Sequence, residues 1–201
     1  MHGHAARRHG LRIVAGVLKG RRLDSPTWSG LRPTSDRLRE TLFNILGPAS
    51  KGARVLDAFA GTGAIGLEAW SRGAAHVTFA ERDPRALALI ARNVGRCGVA
   101  ERYAIIPMDL VDLVRSGPPA FSTVFDLIFL DPPYETDPAA AVSALAPALA
   151  PQGLLVIEHA RRTDAPAATG RLQRVREVVA GDSALSFYRP SDVPRASADQ
   201  P

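Results

Sequence analysis

Residues 55–66 of the 201-residue chain have the sequence VLDAFAGTGAIG, in which a short apolar run leads into a glycine turn and the start of a helix. Gly61 and Gly63 allow the backbone to turn tightly and to approach a ligand where any Cβ atom would collide. With Gly66 the stretch satisfies the pattern G-x-G-x-x-G, which follows the first strand of dinucleotide-binding sheets. We therefore predict a Rossmann-like α/β fold with a mostly parallel sheet and helices on both faces.

The rest of the chain alternates short apolar runs with amphipathic segments, as expected when a parallel sheet is covered on both faces. Strands are predicted at 53–57, 76–80, 103–107, 125–130, 153–158, 172–180 and 184–189. Helices are predicted near 64–72, 84–97, 109–115 and 137–146. The helix over 84–97 is the best defined, because Asp83 can cap its start and Gly98 can end it.

The charge of the chain is unevenly distributed along the sequence. Residues 1–54 contain 11 Lys or Arg against three acids, whereas residues 55–201 contain 14 Arg against 17 acids. A basic N-terminal region indicates either a polyanionic partner or a solvated arm, and charge alone does not distinguish them. We predict four regions along the chain. They are a disordered tail (1–10), a basic lobe with a hairpin and a helix (11–50), a Rossmann-like domain (51–189) and a second disordered tail (190–201).

Composition excludes several classes of protein. No apolar run approaches the roughly 18 residues that a membrane-spanning helix requires. The single cysteine, Cys97, excludes an internal disulfide framework and favours the cytoplasm; it lies on the apolar side of its helix, where we expect a core residue. His2, His4 and His9 have no Cys or Asp at ligand spacing, so no metal site is predicted.

Two acidic residues near the glycine turn indicate the kind of ligand. Glu81 follows Gly61 by 20 residues and ends the next predicted strand, where an acid can accept hydrogen bonds from both ribose hydroxyls of NAD or S-adenosylmethionine. Asp57 precedes Gly61 by four residues, where a carboxylate would repel a pyrophosphate. A cationic amino-acid group would suit Asp57 better, which favours S-adenosylmethionine.

The tetrapeptide Asp131-Pro132-Pro133-Tyr134 follows the predicted strand 125–130. Its two prolines fix the backbone and remove two N–H donors. The Asp131 carboxylate and the Pro132 carbonyl remain as acceptors for hydrogen bonds from the two hydrogens of a planar amine. These hydrogen bonds would make the nitrogen lone pair available to attack a methyl sulfonium. Tyr134 offers a ring on which a base can stack.

Both motifs resemble those of known methyltransferases. The spacing D-x-F-x-G-x-G resembles the first motif of class I S-adenosylmethionine-dependent methyltransferases, and D-P-P-Y resembles the catalytic motif of enzymes that methylate adenine N6, cytosine N4, guanine N2 or protein glutamine. The resemblance implies that Asp131, Pro132 and Pro133 orient the amine and that Tyr134 stacks on the base. The cofactor residues that it implies are Asp57, Phe59, Gly61, Gly63, Glu81, Arg82, Met108 and Asp109.

The N-terminal lobe distinguishes among these substrates. Residues 32–44, with the sequence RPTSDRLRETLFN, resemble the N-terminal signature of bacterial ribosomal RNA guanine-N2 methyltransferases of the RsmD family. The likeness covers residues 11–189 and includes Glu158, but residues 160–170 show no family feature. It implies a cytoplasmic monomer that methylates guanine N2 in small-subunit (16S) ribosomal RNA, as free RNA or in an assembling subunit. The expected phosphate contacts are Lys19, Arg21, Arg22, Arg32, Arg37 and Arg39.

Four alternatives stay open at this point. A DNA adenine-N6 methyltransferase would use the same motifs, although only about 50 residues precede the core and no target-recognition domain is expected there. Methylation of protein glutamine fits the basic lobe poorly. An NAD-dependent oxidoreductase would use the glycine loop, and a non-catalytic RNA-binding module would use the lobe alone. Trp28 is predicted either to stack on a base or to cover the edge of the core.

Overall fold

The computed structural model describes residues 10–31, 34–108, 124–133 and 135–191. In these residues one eight-stranded sheet has the order β3-β2-β1-β4-β5-β8-β7-β6. The first five strands in this order are mutually parallel, and β8, β7 and β6 run antiparallel to their neighbours. The strands are β1 (Arg54–Ala58), β2 (His76–Glu81), β3 (Tyr103–Pro107), β4 (Phe125–Leu130), β5 (Leu149–Ala160), β6 (Ala168–Thr169), β7 (Leu172–Ala180) and β8 (Ser183–Pro190). The predicted Rossmann-like fold class is confirmed.

The described residues contain four α-helices and two short 3₁₀ turns. They are α1 (Asp36–Leu46), α2 (Ala64–Ser71), α3 (Pro84–Cys97) and α4 (Pro138–Leu145), with 3₁₀ turns at Gly47–Ser50 and Ala146–Ala148. For α3 the prediction is confirmed, because the Asp83 carboxylate accepts from the Arg85 N–H and Gly98 ends the helix with a positive φ. Cys97 is buried, as predicted. The predicted helix at 109–115 lies outside the described residues, as do most residues of both predicted tails.

Each face of the sheet carries its own apolar core. Side chains alternate between the faces along a strand, so Leu127 and Phe129 point to one face while Ile128 and Leu130 point to the other. The first face packs against α1, α2 and α3, and the second face packs against α4. Within the described residues, no helix combines the length and apolar character needed to cross a membrane.

The basic lobe packs against the same core as the sheet. Its predicted hairpin consists of one antiparallel bridge, Arg12 to Arg22, supported by backbone hydrogen bonds around it. Ile13 and Phe43 have 1% and 0% of their surface exposed and lie in the cluster that also contains sheet residues such as Phe129. The lobe is therefore held against the sheet through a shared apolar core.

Polar contacts with α2 fix the position of the lobe further. The carboxylate of Glu68, which is fully buried, accepts hydrogen bonds from the backbone N–H groups of Val14 and Ala15 at 2.7 and 2.9 Å. It also forms ion pairs with Arg72 at 2.9 Å and with Arg39 at 3.9 Å. Glu68 thus balances a buried arginine and binds the lobe backbone at the same time.

Substitution of Glu68 by alanine is expected to destabilise the protein strongly. The variant leaves Arg39 buried with less compensating charge and two backbone N–H groups without an acceptor, which costs about 3–5 kcal/mol in cases of this kind. Denaturant unfolding should show this loss. Glu101→Ala is the matched control, because the Glu101 side chain is 80% exposed, and it should change stability by less than about 0.5 kcal/mol. A similar small effect for both variants would contradict this role of Glu68.

Candidate active site

Four carboxylates lie at the carboxyl ends of four neighbouring strands. Asp57 pairs in register with Phe79 of β2 and with Phe129 of β4, so Glu81 and Asp131 both lie two residues beyond its level. Leu130 pairs with Ile157 of β5, which places Glu158 level with Asp131. By the alternation of side chains, all four acids belong to the face that α1, α2 and α3 cover. Along the edge of the sheet the four carboxylates therefore follow the strand order β2, β1, β4, β5, as Glu81, Asp57, Asp131 and Glu158.

Backbone N–H groups fix the orientation of the Glu81 carboxylate. Its Oε2 accepts from the Gly61 N–H at 3.0 Å, and its Oε1 accepts from the N–H groups of Arg82 and Asp83 at 2.7 and 2.9 Å. Gly61 itself has a φ of 54°, a left-handed conformation that favours glycine. A carboxylate has about four acceptor positions, so Glu81 retains acceptor capacity toward the adjoining cavity.

Asp57 occupies the N-terminus of helix α2. Gly63, the N-cap of this helix, has no side chain, and the Asp57 Oδ2 accepts the Gly66 N–H at 2.8 Å instead. A pyrophosphate bound to this helix start would compete with the protein's own carboxylate, which argues against a dinucleotide. Burial, together with the nearby charges of Asp131 and Glu81, raises the pKa of Asp57 to about 8. A cationic ligand would stabilise the ionised form.

Asp131 receives a hydrogen bond from the N-terminal lobe. The Thr34 hydroxyl donates to its Oδ2 at 2.9 Å, across 97 positions of sequence. Burial raises the pKa of Asp131 to about 6, and the Thr34 hydrogen bond opposes that rise. Pro132 and Pro133 lie beside it on the wall of the same cavity, whereas Tyr134 lies outside the described residues.

The cavity above these carboxylates has a volume of about 590 Å³, in the range of ligand-binding clefts. One end is lined by Glu81 and by Trp28, whose ring lies 5.2 Å from the Arg85 guanidinium. The opposite end is lined by Glu158 and Ser183. The cavity therefore extends from the ends of β2 and β1 to the ends of β4 and β5.

Proteins of known sequence and structure resemble this chain over most of its length. The family model described as Conserved hypothetical protein 95 matches residues 11–189. Ribosomal RNA small subunit methyltransferase D of Escherichia coli strain K12 is 33% identical over 192 residues, covering 94% of each chain. The protein of the same name in Haemophilus influenzae is 39% identical over 153 residues, covering 74% of this chain and 78% of that protein. The solved structure of yhhF from Escherichia coli has a TM-score of 0.76 at 34% identity and covers 89% of this chain and 97% of that chain.

The chain belongs to the RsmD family. The resemblance predicted from the sequence is thereby confirmed, and the matched range is the predicted one.

In this RsmD family member, most residues predicted to bind the cofactor meet at the cavity. Those that line it are Asp57, Phe59, Gly61, Glu81 and Arg82. Gly63 and Met108 do not line it themselves: Gly63 lies between the lining residues Thr62 and Ala64, with its Cα facing Ile90 and Phe79, and Met108 packs against the core on the other face of the sheet. Asp109 lies outside the described residues.

The six residues predicted to contact phosphates differ in their exposure to solvent. Lys19, Arg21, Arg22 and Arg37 are exposed, and Arg32 lies outside the described residues. For Arg39 the prediction is wrong, because its side chain has no exposed surface. Its Nη2 donates to the Arg12 carbonyl at 2.7 Å and to the Asp36 carboxylate, so this arginine holds the lobe together instead of facing a partner.

No role was predicted from the sequence for Thr34 or for Glu158. Thr34 was part of the N-terminal signature, but no spacing rule connects it with a residue 97 positions later. Glu158 could have been found, because it ends the predicted strand 153–158 as Glu81 follows the predicted strand 76–80. Trp28, left open between stacking and covering the core, is half-buried at the edge of the cavity.

Proposed function

We propose that this protein transfers a methyl group from S-adenosylmethionine to the exocyclic N2 amine of a guanine in small-subunit (16S) ribosomal RNA. The observation that carries the proposal is the position of Asp131-Pro132-Pro133 in the middle of the cavity, one strand away from Asp57. An amine-orienting motif thus adjoins a pocket suited to a cation. Membership of the RsmD family supports ribosomal RNA as the substrate.

The residues at the β2 and β1 end of the cavity fit S-adenosylmethionine. When bound, this cofactor supplies a methyl group carried on a positively charged sulfur. Glu81 would accept hydrogen bonds from the ribose hydroxyls, and Asp57 would face the ammonium of the amino-acid group. Acidic side chains around the cavity favour such a cation, since the buried Asp57 carboxylate gains a counter-charge on binding. Phe59, Gly61 and Arg82 complete this part of the wall, and Gly63, Met108 and Asp109 stay proposed cofactor residues on the resemblance alone.

The residues at the end of β4 would orient the amine. The Asp131 carboxylate and the Pro132 carbonyl would each accept one hydrogen of the N2 amine, which directs the nitrogen lone pair toward the methyl group. Because the nitrogen loses a proton readily once it carries the methyl group, the site needs no strong general base. The contribution of these residues is positioning, which can lower a barrier substantially without any covalent intermediate on the enzyme.

The lobe would bind the RNA backbone through its exposed cations. Replacing Lys19, Arg21 and Arg22 together with alanine should reduce the slope of log K against log salt concentration by roughly 2 to 3, because each phosphate contact releases counterions. Filter binding of small-subunit RNA at several salt concentrations measures this slope. Arg161 and Arg162, which are exposed between β5 and β6, form the matched control pair. An unchanged slope in the triple variant would contradict the proposed RNA surface.

Thr34 connects this lobe with the reacting amine, and its removal should change the pH dependence of methyl transfer. The Thr34 hydroxyl stabilises the ionised Asp131, so Thr34→Val raises the pKa of that carboxyl. The acidic limb of the pH–activity profile should then move upward by about one pH unit. Thr34→Ser keeps a hydroxyl and should restore the wild-type profile. A lower rate with an unmoved acidic limb would indicate a packing role only.

We further propose that the protein acts as a monomer in the cytoplasm, where ribosomal subunits assemble. The single cysteine is compatible with a reducing compartment. Its substrate is the free RNA or the assembling subunit, and the experiment below separates the two.

The experiment that tests the proposed function uses labelled S-adenosylmethionine and three substrates from cells without this enzyme. They are deproteinised small-subunit RNA, partly assembled small subunits, and duplex DNA. Digestion to nucleosides should locate the label in N2-methylguanosine, and mapping should then identify the nucleotide. Asp131→Ala should lose the signal, whereas Asp164→Ala, which changes an exposed aspartate distant in sequence from the motifs, should keep it. Label in N6-methyladenine of DNA, or no label in any substrate, would overturn the proposal.

A further inference from the structure

Glu158 lies beside Asp131 at the end of the cavity opposite to Glu81. The pairing of Leu130 with Ile157 places the two acids at the same level on adjacent strands. Both side chains line the cavity, and both point to the face covered by α1, α2 and α3. If the cofactor lies over β2 and β1, Glu158 is on the side where the target base must enter.

Its carboxylate has a fixed orientation. The Ser183 hydroxyl, at the first position of β8, donates to Glu158 Oε1 at 2.8 Å. The two strands are held together by a regular antiparallel ladder, in which Glu158 pairs with Leu185. An acceptor oriented in this way can select among ligands, because little conformational freedom is lost when a hydrogen bond forms.

The bases that carry an exocyclic amine differ in the atom next to that amine. In guanine the N2 amine is flanked by two ring nitrogens, N3 with a lone pair and N1, which carries a hydrogen. In adenine and cytosine the neighbouring ring nitrogen has a lone pair and no hydrogen. A second carboxylate beside the amine-binding acceptor would therefore attract guanine and repel the other two bases.

We propose that Glu158 accepts a hydrogen bond from N1–H of the target base and so restricts the enzyme to guanine. This inference rests on the proposed function, because it assigns the base specificity of the same site. Asp131 would accept a hydrogen bond from the amine and Glu158 one from the adjacent N1–H, so that two carboxylates recognise two neighbouring donors of guanine. A base without the N1 hydrogen would leave Glu158 facing a lone pair, which is penalised more than a lost contact.

The test uses the RNA whose methylated position has been mapped, rebuilt by splinted ligation with either guanosine or 2-aminopurine riboside there. 2-Aminopurine keeps the amine and lacks the N1 hydrogen. Where only the assembling subunit is a substrate, both RNAs are first reconstituted into that particle. The wild-type kcat/KM should be at least about 100-fold lower for 2-aminopurine than for guanine, as expected when a hydrogen bond to a charged group is replaced by an unpaired acceptor.

Glu158→Gln should change this preference in a defined direction. Its amide can donate to the bare N1 of 2-aminopurine, so the ratio of the two kcat/KM values should fall at least tenfold. Glu158→Asp, which withdraws the carboxylate by one carbon, should also lower the ratio and provides a second test should the glutamine variant not fold. A purely structural role of Glu158 would lower both rates equally.

The outcomes separate this inference from the function on which it rests. If the wild-type enzyme methylates guanine and 2-aminopurine at similar rates, the role of Glu158 is refuted and guanine-N2 methylation stands. An unchanged ratio in both variants refutes it too. If the wild-type enzyme methylates neither RNA, the proposed function itself has failed.

Discussion

Asp131→Ala is expected to lower kcat/KM for methyl transfer by roughly 10²- to 10³-fold, the usual cost of removing one positioned electrostatic partner of a reacting group. The side chain lies in the middle of the cavity and would hold one hydrogen of the amine. Binding of S-adenosylmethionine should change much less, because the proposed cofactor contacts are made by Asp57 and Glu81. Steady-state kinetics and calorimetry measure the two effects separately.

Asp131→Asn distinguishes the role of the carboxylate more finely. The amide oxygen still accepts a hydrogen bond, so this variant should keep more activity than Asp131→Ala. Because the pKa of Asp131 is raised to about 6, wild-type activity should decline as the pH falls through 6 and the carboxyl gains a proton. A bound cation favours the carboxylate and would move that decline to lower pH. The asparagine variant should lack this limb, and a limb identical to the wild type would contradict the assignment.

The second large effect is expected at Asp57. Asp57→Asn should raise the Kd for S-adenosylmethionine roughly 10- to 100-fold, since it removes one charged partner of the cationic cofactor. The amide oxygen can still accept the Gly66 N–H, so the start of α2 should persist. S-Adenosylhomocysteine keeps the ammonium but lacks the positive sulfur. A similar loss of affinity for S-adenosylmethionine and for S-adenosylhomocysteine would indicate that Asp57 faces the ammonium, as proposed.

Proton linkage gives Asp57 an independent signature. With a pKa of about 8, the Asp57 carboxyl is largely protonated at pH 7 in the free enzyme, and a bound cation would ionise it. Binding should therefore release close to one proton at pH 7 in the wild type and markedly less in Asp57→Asn. Calorimetry in two buffers of different ionisation enthalpy measures this release. Equal proton release in both proteins would contradict the assignment.

The same pKa predicts how the stability of the free protein depends on pH. The folded pKa of Asp57 lies above the unfolded value of 3.8, so between these limits the native state binds a proton that the unfolded state does not. Stability contributed by this group must therefore decrease as the pH rises from about 4 to 8. Relative to the wild type, Asp57→Asn should become more stable toward alkaline pH, which thermal unfolding at several pH values can detect.

The parts of the fold that could be predicted from the sequence depend on local signals. Helix α3 follows from a capping aspartate, a proline at its start and a terminal glycine, all within 16 residues. The position of the carboxylates at one edge of the sheet could be predicted, because short apolar runs are each followed or ended by an acid. By contrast, β5 begins at Leu149, four residues before the predicted start at 153, because its first residues pair with β4 across a register shift near Phe125.

The errors and omissions concern contacts between distant segments. The sequence around Arg39 suggested a phosphate contact, yet this arginine pairs with Asp36 in its own helix and with Glu68 on α2, and only the tertiary structure brings Glu68 near. The helical spacing did indicate that Arg39 lies on the buried face of α1, because it precedes the buried Phe43 by one turn. The hydrogen bond from Thr34 to Asp131 has no local signature at all, since it joins the lobe to the end of a central strand.

The most direct test of the account is the nucleoside composition of small-subunit RNA in the organism of origin. The gene would be deleted and then restored with either the wild-type or the Asp131→Ala sequence. We expect that deletion removes one N2-methylguanosine per small-subunit RNA, that the wild-type gene restores it, and that the alanine variant does not. An unchanged content of N2-methylguanosine after deletion would contradict it.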